Sequence, residues 1–350
     1  MRRSKRARLK WIALQAFAGG LLWLAYVKAM QAAGFFQRAD PPGLQIFLVG
    51  ALIFGAMAAF EFYVYRASAG SWLRRLPVLR ALLLHNLALL AIAAAILAAV
   101  RLPVYLKETA SLGDLAGRPG ILRDALLAVI ATFVLTTWSQ IRAMIGPRTL
   151  VNLVLGNYRR PRREKRIFAF VDVKNSTAIA AEIGDERFHA YLSRFFFDID
   201  EAVVDLGGEV NSYVGDAAII TWPMREPQRN ADAINAIFAV RDQATRSAER
   251  FRQEFGAAVE IRAALHGGDV VAGECGDSKR QITYLGDVVN VTARLEQAAK
   301  EMGRDIVISS TLLKETALPP RVDAEALGTV ELKGQPKPVE IFALSRGETA

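Results

Sequence analysis

Two aspartates in this sequence stand where charge is unusual. Asp172 closes an apolar run, Phe168-Ala-Phe-Val-Asp-Val173, and Asp216 sits in Tyr213-Val-Gly-Asp-Ala217 between two short β-rich runs. Either carboxylate alone would serve to cap a turn. Brought together, the two would repel unless a cation lay between them. Oxygen ligands with no His or Cys cluster suit Mg²⁺ or Mn²⁺ shared with substrate phosphates. The single cysteine, Cys275, excludes a disulfide framework and a multi-cysteine zinc site. The three histidines, His85, His189 and His266, are too scattered to suggest a His-based metal centre.

A third group lies in Tyr284-Leu-Gly-Asp-Val-Val-Asn-Val-Thr-Ala-Arg-Leu-Glu296. Asn290 and Arg294 are four apart, hence on one face of a helix. An amide beside a guanidinium suits phosphate recognition. The same spacing also describes an ordinary solvated helix face. No GxxxxGK[ST] or GxGxxG loop is present, so those nucleotide sites are unsupported.

The elements that must position these residues follow from periodicity. Ile167–Val173 reads as a strand. Phe188, Leu192, Phe195, Ile199, Val203 and Leu206 recur at steps of three or four, which predicts a helix over Glu186–Leu206, ended by Gly207-Gly208. Val210–Val214 and Ala217–Trp222 predict a hairpin turning at Gly215-Asp216. A helix follows over Asn230–Phe255. Ile261–His266 and Val270–Gly273 are expected as a second hairpin around Gly267-Gly268-Asp269. Val288–Met302 is a helix, and Ile306–Ile308, Val330–Leu332 and Val339–Leu344 are strands. This mixture implies a mostly antiparallel sheet with helices on one side, an α+β domain.

The 350 residues leave room for two or three domains, and the 52% hydrophobic content excludes a disordered or fibrous chain. The net charge of +9 hides an asymmetry. Residues 1–166 carry 24 Lys and Arg against 6 Asp and Glu, and the other 184 carry 20 against 29. The first half is thus +18 and the second −9. The basic residues flank four apolar stretches, roughly Trp11–Val27, Leu44–Tyr65, Ala81–Val100 and Ala125–Ile141. Each is near the ~20 residues that cross a bilayer as a helix. That is a membrane pattern rather than a nucleic-acid-binding stripe, so no nucleic acid is expected as a partner. The first stretch lacks a cleavage site and is followed by further spans, so it does not read as a signal peptide.

The tail, the loop after the second stretch and the segment after the fourth are the most basic. The positive-inside rule then puts both termini and the second half in the cytoplasm. Glu61, His85 and Asn86 fall inside or beside the spans. They read as interfacial or interhelical polar contacts, or as an intramembrane ligand site. The run Arg159–Arg166 is either a juxtamembrane lipid contact or part of a connecting element that transmits a signal. The division expected is a four-span membrane domain over 1–145, a connecting element over 146–165 and a catalytic domain over 166–350.

Taken in order, the motifs of the second half resemble the catalytic domain of class III nucleotidyl cyclases, with the resemblance covering about Arg166–Leu344. It implies a ferredoxin-like βαββαβ core. Asp172, in the F-x-D-[IV]-x-x-x-T pattern of Phe170–Thr177, matches the first metal aspartate, and the backbone carbonyl of Val173 would join it. Asp216, in Gly215-Asp216-Ala217, matches the second. Arg262, ahead of Leu265-His266-Gly267-Gly268, matches a phosphate-contacting arginine. Asn290 and Arg294, in V-N-x-x-x-R-L, match the transition-state pair, and Lys333, in Leu332-Lys-Gly334, matches a triphosphate-binding lysine.

Two positions depart from the commonest pattern. Ser212 stands where a base-selecting lysine is usual, and Thr283 where many members have aspartate, as in the class IIIb subgroup. The implied reaction is ATP to 3′,5′-cyclic AMP and pyrophosphate with two Mg²⁺ or Mn²⁺ ions per active site. In the family the metal aspartates come from one subunit and the Asn/Arg pair from the other, so a homodimer is implied. The expected protein is a multi-pass adenylate cyclase of the cell (inner or plasma) membrane, with ATP, the lipid bilayer and a second copy of itself as partners. A guanylate cyclase and a catalytically inactive, nucleotide-binding receptor remain as alternatives.

Overall fold

A computed structural model of the chain describes residues 2–33, 42–61, 63, 76–108, 129–130, 132–134, 137, 152, 156–277, 281–331 and 338–347. The chain divides into two compact units, Met1–Pro147 and Arg148–Ala350.

The first unit is helical where it is described. Helix α1 covers Arg2–Ala32, α2 covers Gly43–Phe60 and α3 covers Val78–Glu108. Within them Leu9–Ala32, Gly43–Phe60 and Arg80–Ala99 are long and apolar enough to cross a membrane. The expected fourth span, Ala125–Ile141, falls mostly outside the described residues. Gly19, Gly20 and Gly50 let α1 and α2 approach closely, because a Cβ at these positions would run into Phe54, Phe47 and Trp23. Small residues at a helix crossing are how apolar helices pack where hydrophobicity gives no preference between partners. His85 of α3 is buried, with its Nε2 2.9 Å from Glu61 Oε2 just past the end of α2. The polar pair thus links two helices.

The second unit is built on an eight-stranded sheet. Strand β1 covers Arg162–Val173. It is followed by α4 (Ser176–Ile183), α5 (Asp185–Asp205), β2 (Glu209–Val214), β3 (Ala217–Pro223) and α6 (Pro227–Phe255). Then come β4 (Ile261–Cys275), β5 (Gln281–Leu285), α7 (Asp287–Glu301), β6 (Ile306–Ser309), α8 (Ser310–Lys314), β7 (Val322–Val330) and β8 (Val339–Arg346). The order is β2-β3-β1-β4-β6-β8-β7, with β5 paired to β4. Among the described strand pairs only β4 and β6 run parallel. The four strands β2-β3-β1-β4 with crossovers α5 and α6 form the βαββαβ core.

Alternation along β1 explains the layers. Ile167, Ala169, Val171 and Val173 share a core with Tyr191, Phe195, Ile199 and Val203 of α5 and with Ile234 and Ile237 of α6. The intervening Phe168 packs on the opposite face against Ile219, Val270 and Val288. There Val291 and Leu295 of α7 also cover Ala264 of β4. The expectation of helices on one side is therefore corrected: α7 lies on the other face. Ile167–Val171 is an unbroken apolar run rather than an alternating one, as a strand covered on both faces requires.

The expected hairpin at Gly267-Gly268-Asp269 is also corrected. β4 runs without a turn through Gly267 and Gly268, which pair with Ile167 and Arg166 of β1. A Cβ on Gly267 would lie 3.0 Å from Leu312 Cδ1, and one on Gly268 2.9 Å from Val288 Cγ2. These glycines make room for α8 and α7 and do not turn the chain. The other expected turn is present. Val214 pairs with Ala217, leaving Gly215-Asp216 as a two-residue loop with Gly215 at φ +62°. A positive φ at the first turn position alone is the type II′ pattern.

Strand β1 begins at Arg162, ahead of the expected Ile167. Its Arg166 is buried, donates from Nε to Thr221 Oγ1 at 3.0 Å and from Nη1 to Glu164 Oε1 at 3.0 Å, and lies over the Tyr284 ring. Arg166 is thus fixed inside the fold and is not available as a lipid contact. The expected strand Val330–Leu332 is corrected: β7 covers Val322–Val330 and meets that expectation only at Val330, and β5 and the short helices α4 and α8 carry no strong sequence pattern.

Candidate active site

The site begins where β1 and β3 end together. Asp172 pairs with Ala217, the residue that follows Asp216, so the register sets the two aspartates side by side. Asp172 also pairs across to Arg262, the second residue of β4. Paired residues in a sheet project from the same face. The face is that of Phe168, since Asp172 is four residues on. Arg262 Nη1 lies 3.9 Å from Asp172 Oδ2 and 3.6 Å from Glu296 Oε1 of α7. These are charge contacts, longer than hydrogen bonds.

The electrostatics follow from this geometry. Burial first, then the carboxylates of Asp216 and Glu296, push the Asp172 carboxyl up to about 7, against the opposing pull of Arg262. Glu296 is also raised, chiefly by burial, with Arg262 and Lys300 opposing. Negative charge is therefore crowded at this point of the sheet, the condition a divalent cation relieves. Among the described residues no group of three or more His, Cys, Asp or Glu side chains could hold a metal ion. The donor set here is two carboxylates with the backbone carbonyl of Val173 within reach in sequence. That set fits a hard cation which completes its shell with water and phosphate oxygens. The Val173 side chain itself is buried in the core and offers nothing.

The other expected residues are placed differently. Asn290 is exposed and Arg294 half-buried on α7, and neither has an ion pair among the described residues. The inner face of that helix is Val288, Val291, Thr292, Leu295, Ala298 and Ala299. Ser212 pairs with Ile219, itself opposite Phe170, so Ser212 stands two strands from β1 beside a bulge at Asn211. Thr283 of β5 pairs with Gly273 of β4. Gly273 stands eleven positions along β4 from Arg262, about 35 Å at the usual rise. The register thus brings together Asp172, Asp216 and Arg262, and sets Thr283, on β5, beside the far end of β4. Lys333 lies outside the described residues.

Glu296 was not among the residues picked out from the sequence. It ends the V-N-x-x-x-R-L-E run, and its place two residues after Arg294, on a different side of the helix, is the only hint that it turns inward. Tyr284 was missed likewise. It packs edge-on to Phe168 at 5.5 Å, beside Arg166, and so fixes β5 to the centre of the sheet.

The family model described as the adenylate and guanylate cyclase catalytic domain matches residues 161–346. Adenylate cyclase 2 of Rhizobium meliloti (strain 1021) is 39% identical over 208 residues, covering 59% of this chain and 57% of that protein. Adenylate cyclase 1 of the same strain is 28% identical over 191 residues, covering 51% of this chain and 27% of that protein. The chain therefore spans only part of the length of these relatives. Among solved structures, a bacterial light-regulated adenylyl cyclase shares the fold, with a TM-score of 0.53 and 17% identity over 68% of this chain and 66% of that one.

Proposed function

The chain belongs to the adenylate and guanylate cyclase catalytic-domain family, and from that premise we propose that it converts ATP to 3′,5′-cyclic AMP and pyrophosphate. The convergence of Asp172 and Asp216 at the end of the central sheet carries this reading. These two carboxylates and the Val173 carbonyl would hold Mg²⁺ or Mn²⁺, two ions per site. When bound, such ions lower the pKa of a coordinated hydroxyl and neutralise phosphate charge.

The chemistry is an in-line displacement. The ribose 3′-oxygen forms a bond to the α-phosphorus, the bond from that phosphorus to the pyrophosphate oxygen breaks, and the 3′-hydroxyl proton leaves. Asn290 orients the ribose, and Arg294 meets the charge that develops on the α-phosphate. In a site drawn from two chains, Arg262 and Lys333 would contact the remaining phosphates, and Ser212 and Thr283 would border the base. Most of the rate enhancement is positioning plus electrostatics.

We further assign the two halves of the site to two chains. Arg294 has no ion pair among the described residues, whereas Asp172 lies 3.9 Å from Arg262. A two-fold homodimer supplies the aspartates of one chain with the Asn290/Arg294 pair of the other. The membrane domain is assigned to 1–145, the connecting element to 146–165 and the catalytic domain to 166–350, with its first strand reaching back to Arg162. The basic loops put the catalytic domain and both termini on the cytoplasmic side of the cell membrane.

The test is a cyclisation assay on the purified full chain with Mn²⁺ and either ATP or GTP. Cyclic AMP from ATP is the expected product. Cyclic GMP alone would reassign the base. No cyclic product from either nucleotide, with Asp172→Ala equal to wild type, overturns the enzyme.

A further inference from the structure

We propose that Glu296 is a positioning residue that tunes the cation affinity of the Asp172–Asp216 site by drawing Arg262 away from Asp172. The inference rests on the reading of those two aspartates as cation ligands.

The geometry is a shared guanidinium. Arg262 Nη1 stands between two carboxylates, 3.9 Å from Asp172 Oδ2 and 3.6 Å from Glu296 Oε1. The three side chains are only 12%, 15% and 18% exposed, for Arg262, Asp172 and Glu296 respectively. Solvent therefore screens the contacts weakly, and each matters more than a surface pair would. Arg262 Nε and Glu296 Oε1 are both buried and have no hydrogen-bond partner. At 3.9 and 3.6 Å, the contacts of Nη1 to the two carboxylates are charge contacts longer than hydrogen bonds, so neither carboxylate has closed on the guanidinium.

Asp172 has two possible counter-charges, Arg262 and a divalent ion, and they compete for the same oxygens. A guanidinium that closed on Asp172 as a bidentate pair would occupy the lone pairs a cation needs. Glu296 opposes that closure from the far side, and its own negative charge offsets that of Arg262 as seen by the ion. The device uses separate elements: Asp172 is the last but one residue of β1, Arg262 the second of β4, and Glu296 comes from α7. A simple pin between helix and strand would require only the Arg262–Glu296 contact. The third member, at a candidate cation ligand, makes the pair a regulator of that ligand.

The experiment titrates Mn²⁺ into the full-length protein without nucleotide, read by electron paramagnetic resonance. Omitting nucleotide separates this role from any phosphate contact of Arg262. Glu296→Gln leaves an uncompensated guanidinium beside the site, and Mn²⁺ binding is expected to weaken by about tenfold. Arg262→Gln removes the competitor, and binding is expected to tighten by several-fold. The double variant should return close to wild type. A purely structural pin would weaken binding in both single variants alike, and that result overturns the proposal, as does an unchanged affinity in Glu296→Gln. Should Glu296→Gln fail to fold, Arg262→Gln still decides, since weaker binding there has the wrong sign. Asp172→Asn is the reference: if it binds Mn²⁺ like wild type, the cation-site reading itself fails. If it loses Mn²⁺ while the other variants do not move in opposite directions, only the role of Glu296 fails.

Discussion

Asp172 sits at the end of the central sheet among charged neighbours of its own chain, whereas Arg294 projects from α7 with no ion pair among the described residues. The first is held by register. Its cross-strand neighbours fix Asp216 on one side and Arg262 on the other, and Glu296 closes the group. The second is held only by the buried face of its helix, while Asn290 stands in solvent. A charged group left open on a well-packed helix costs little in water and keeps its full strength for a ligand. The contrast between the halves shows how one chain can carry both without assembling a site.

The sharpest way to break this contrast is complementation. Asp172→Ala and Arg294→Ala should each lower turnover by about 10²–10³-fold, the scale of losing one charge-stabilising group. Co-expressed, the two variants form mixed dimers with one intact site, and about a quarter of wild-type activity should return. If both halves worked within one chain, nothing would return. The measurement is cyclic AMP production by the co-purified proteins.

A second test concerns the internally tied half. His266 lies on β4, its Nδ1 2.7 Å from Ser309 Oγ, and burial lowers its pKa to about 4 against a weaker opposing effect of Asp287. The unfolded imidazole takes its proton near pH 6.5. Between those values the unfolded chain binds more protons than the folded one, so stability falls as pH is lowered through this window. Wild type should lose about 2 kcal/mol more than His266→Gln between pH 7 and 5. Denaturant unfolding of the full chain at the two pH values checks it.

Smaller effects sharpen the comparison. Gly268→Ala places a Cβ 2.9 Å from Val288 Cγ2 and should cost roughly 1–2 kcal/mol by pushing on the start of α7. Because α7 carries Asn290 and Arg294, turnover should fall with it, and a calorimetric scan beside an activity assay reads both. Asn290→Ala and Arg294→Ala should leave stability within about 0.5 kcal/mol of wild type, since one is exposed, the other half-buried, and neither has an ion pair among the described residues. A large loss of melting temperature in Arg294→Ala would mean that this half is tied into its own chain after all.

Much of this was legible in the sequence. The hairpin at Gly215-Asp216, the helix over Glu186–Leu206 and the strand ending at Asp172 all follow from local rules, since a turn glycine, a 3.6 period and a β-rich run need no distant partner. The misreadings share one cause. Gly267-Gly268 resembles a turn, yet both residues lie flat in β4 because two helices press on them. Arg166 resembles a juxtamembrane cation, yet Thr221, Glu164 and Tyr284 enclose it. A glycine demanded by close approach and one demanded by a turn are the same letter, and a buried arginine is the same letter as an exposed one.

The sequence by itself determined the chemistry available: two aspartates for a cation, an amide and a guanidinium for a phosphate, and apolar stretches flanked by positive charge. Residue type and spacing fix those, because they depend on side-chain chemistry and helical or strand period. Only the tertiary structure decided which groups meet. Asp172 faces Asp216 and Arg262 because β1 pairs with β3 and β4 in one register, and Glu296 joins them because α7 packs on the face of Phe168. Those contacts join residues dozens of positions apart, and their geometry is set by strand pairing and packing, which no local pattern encodes.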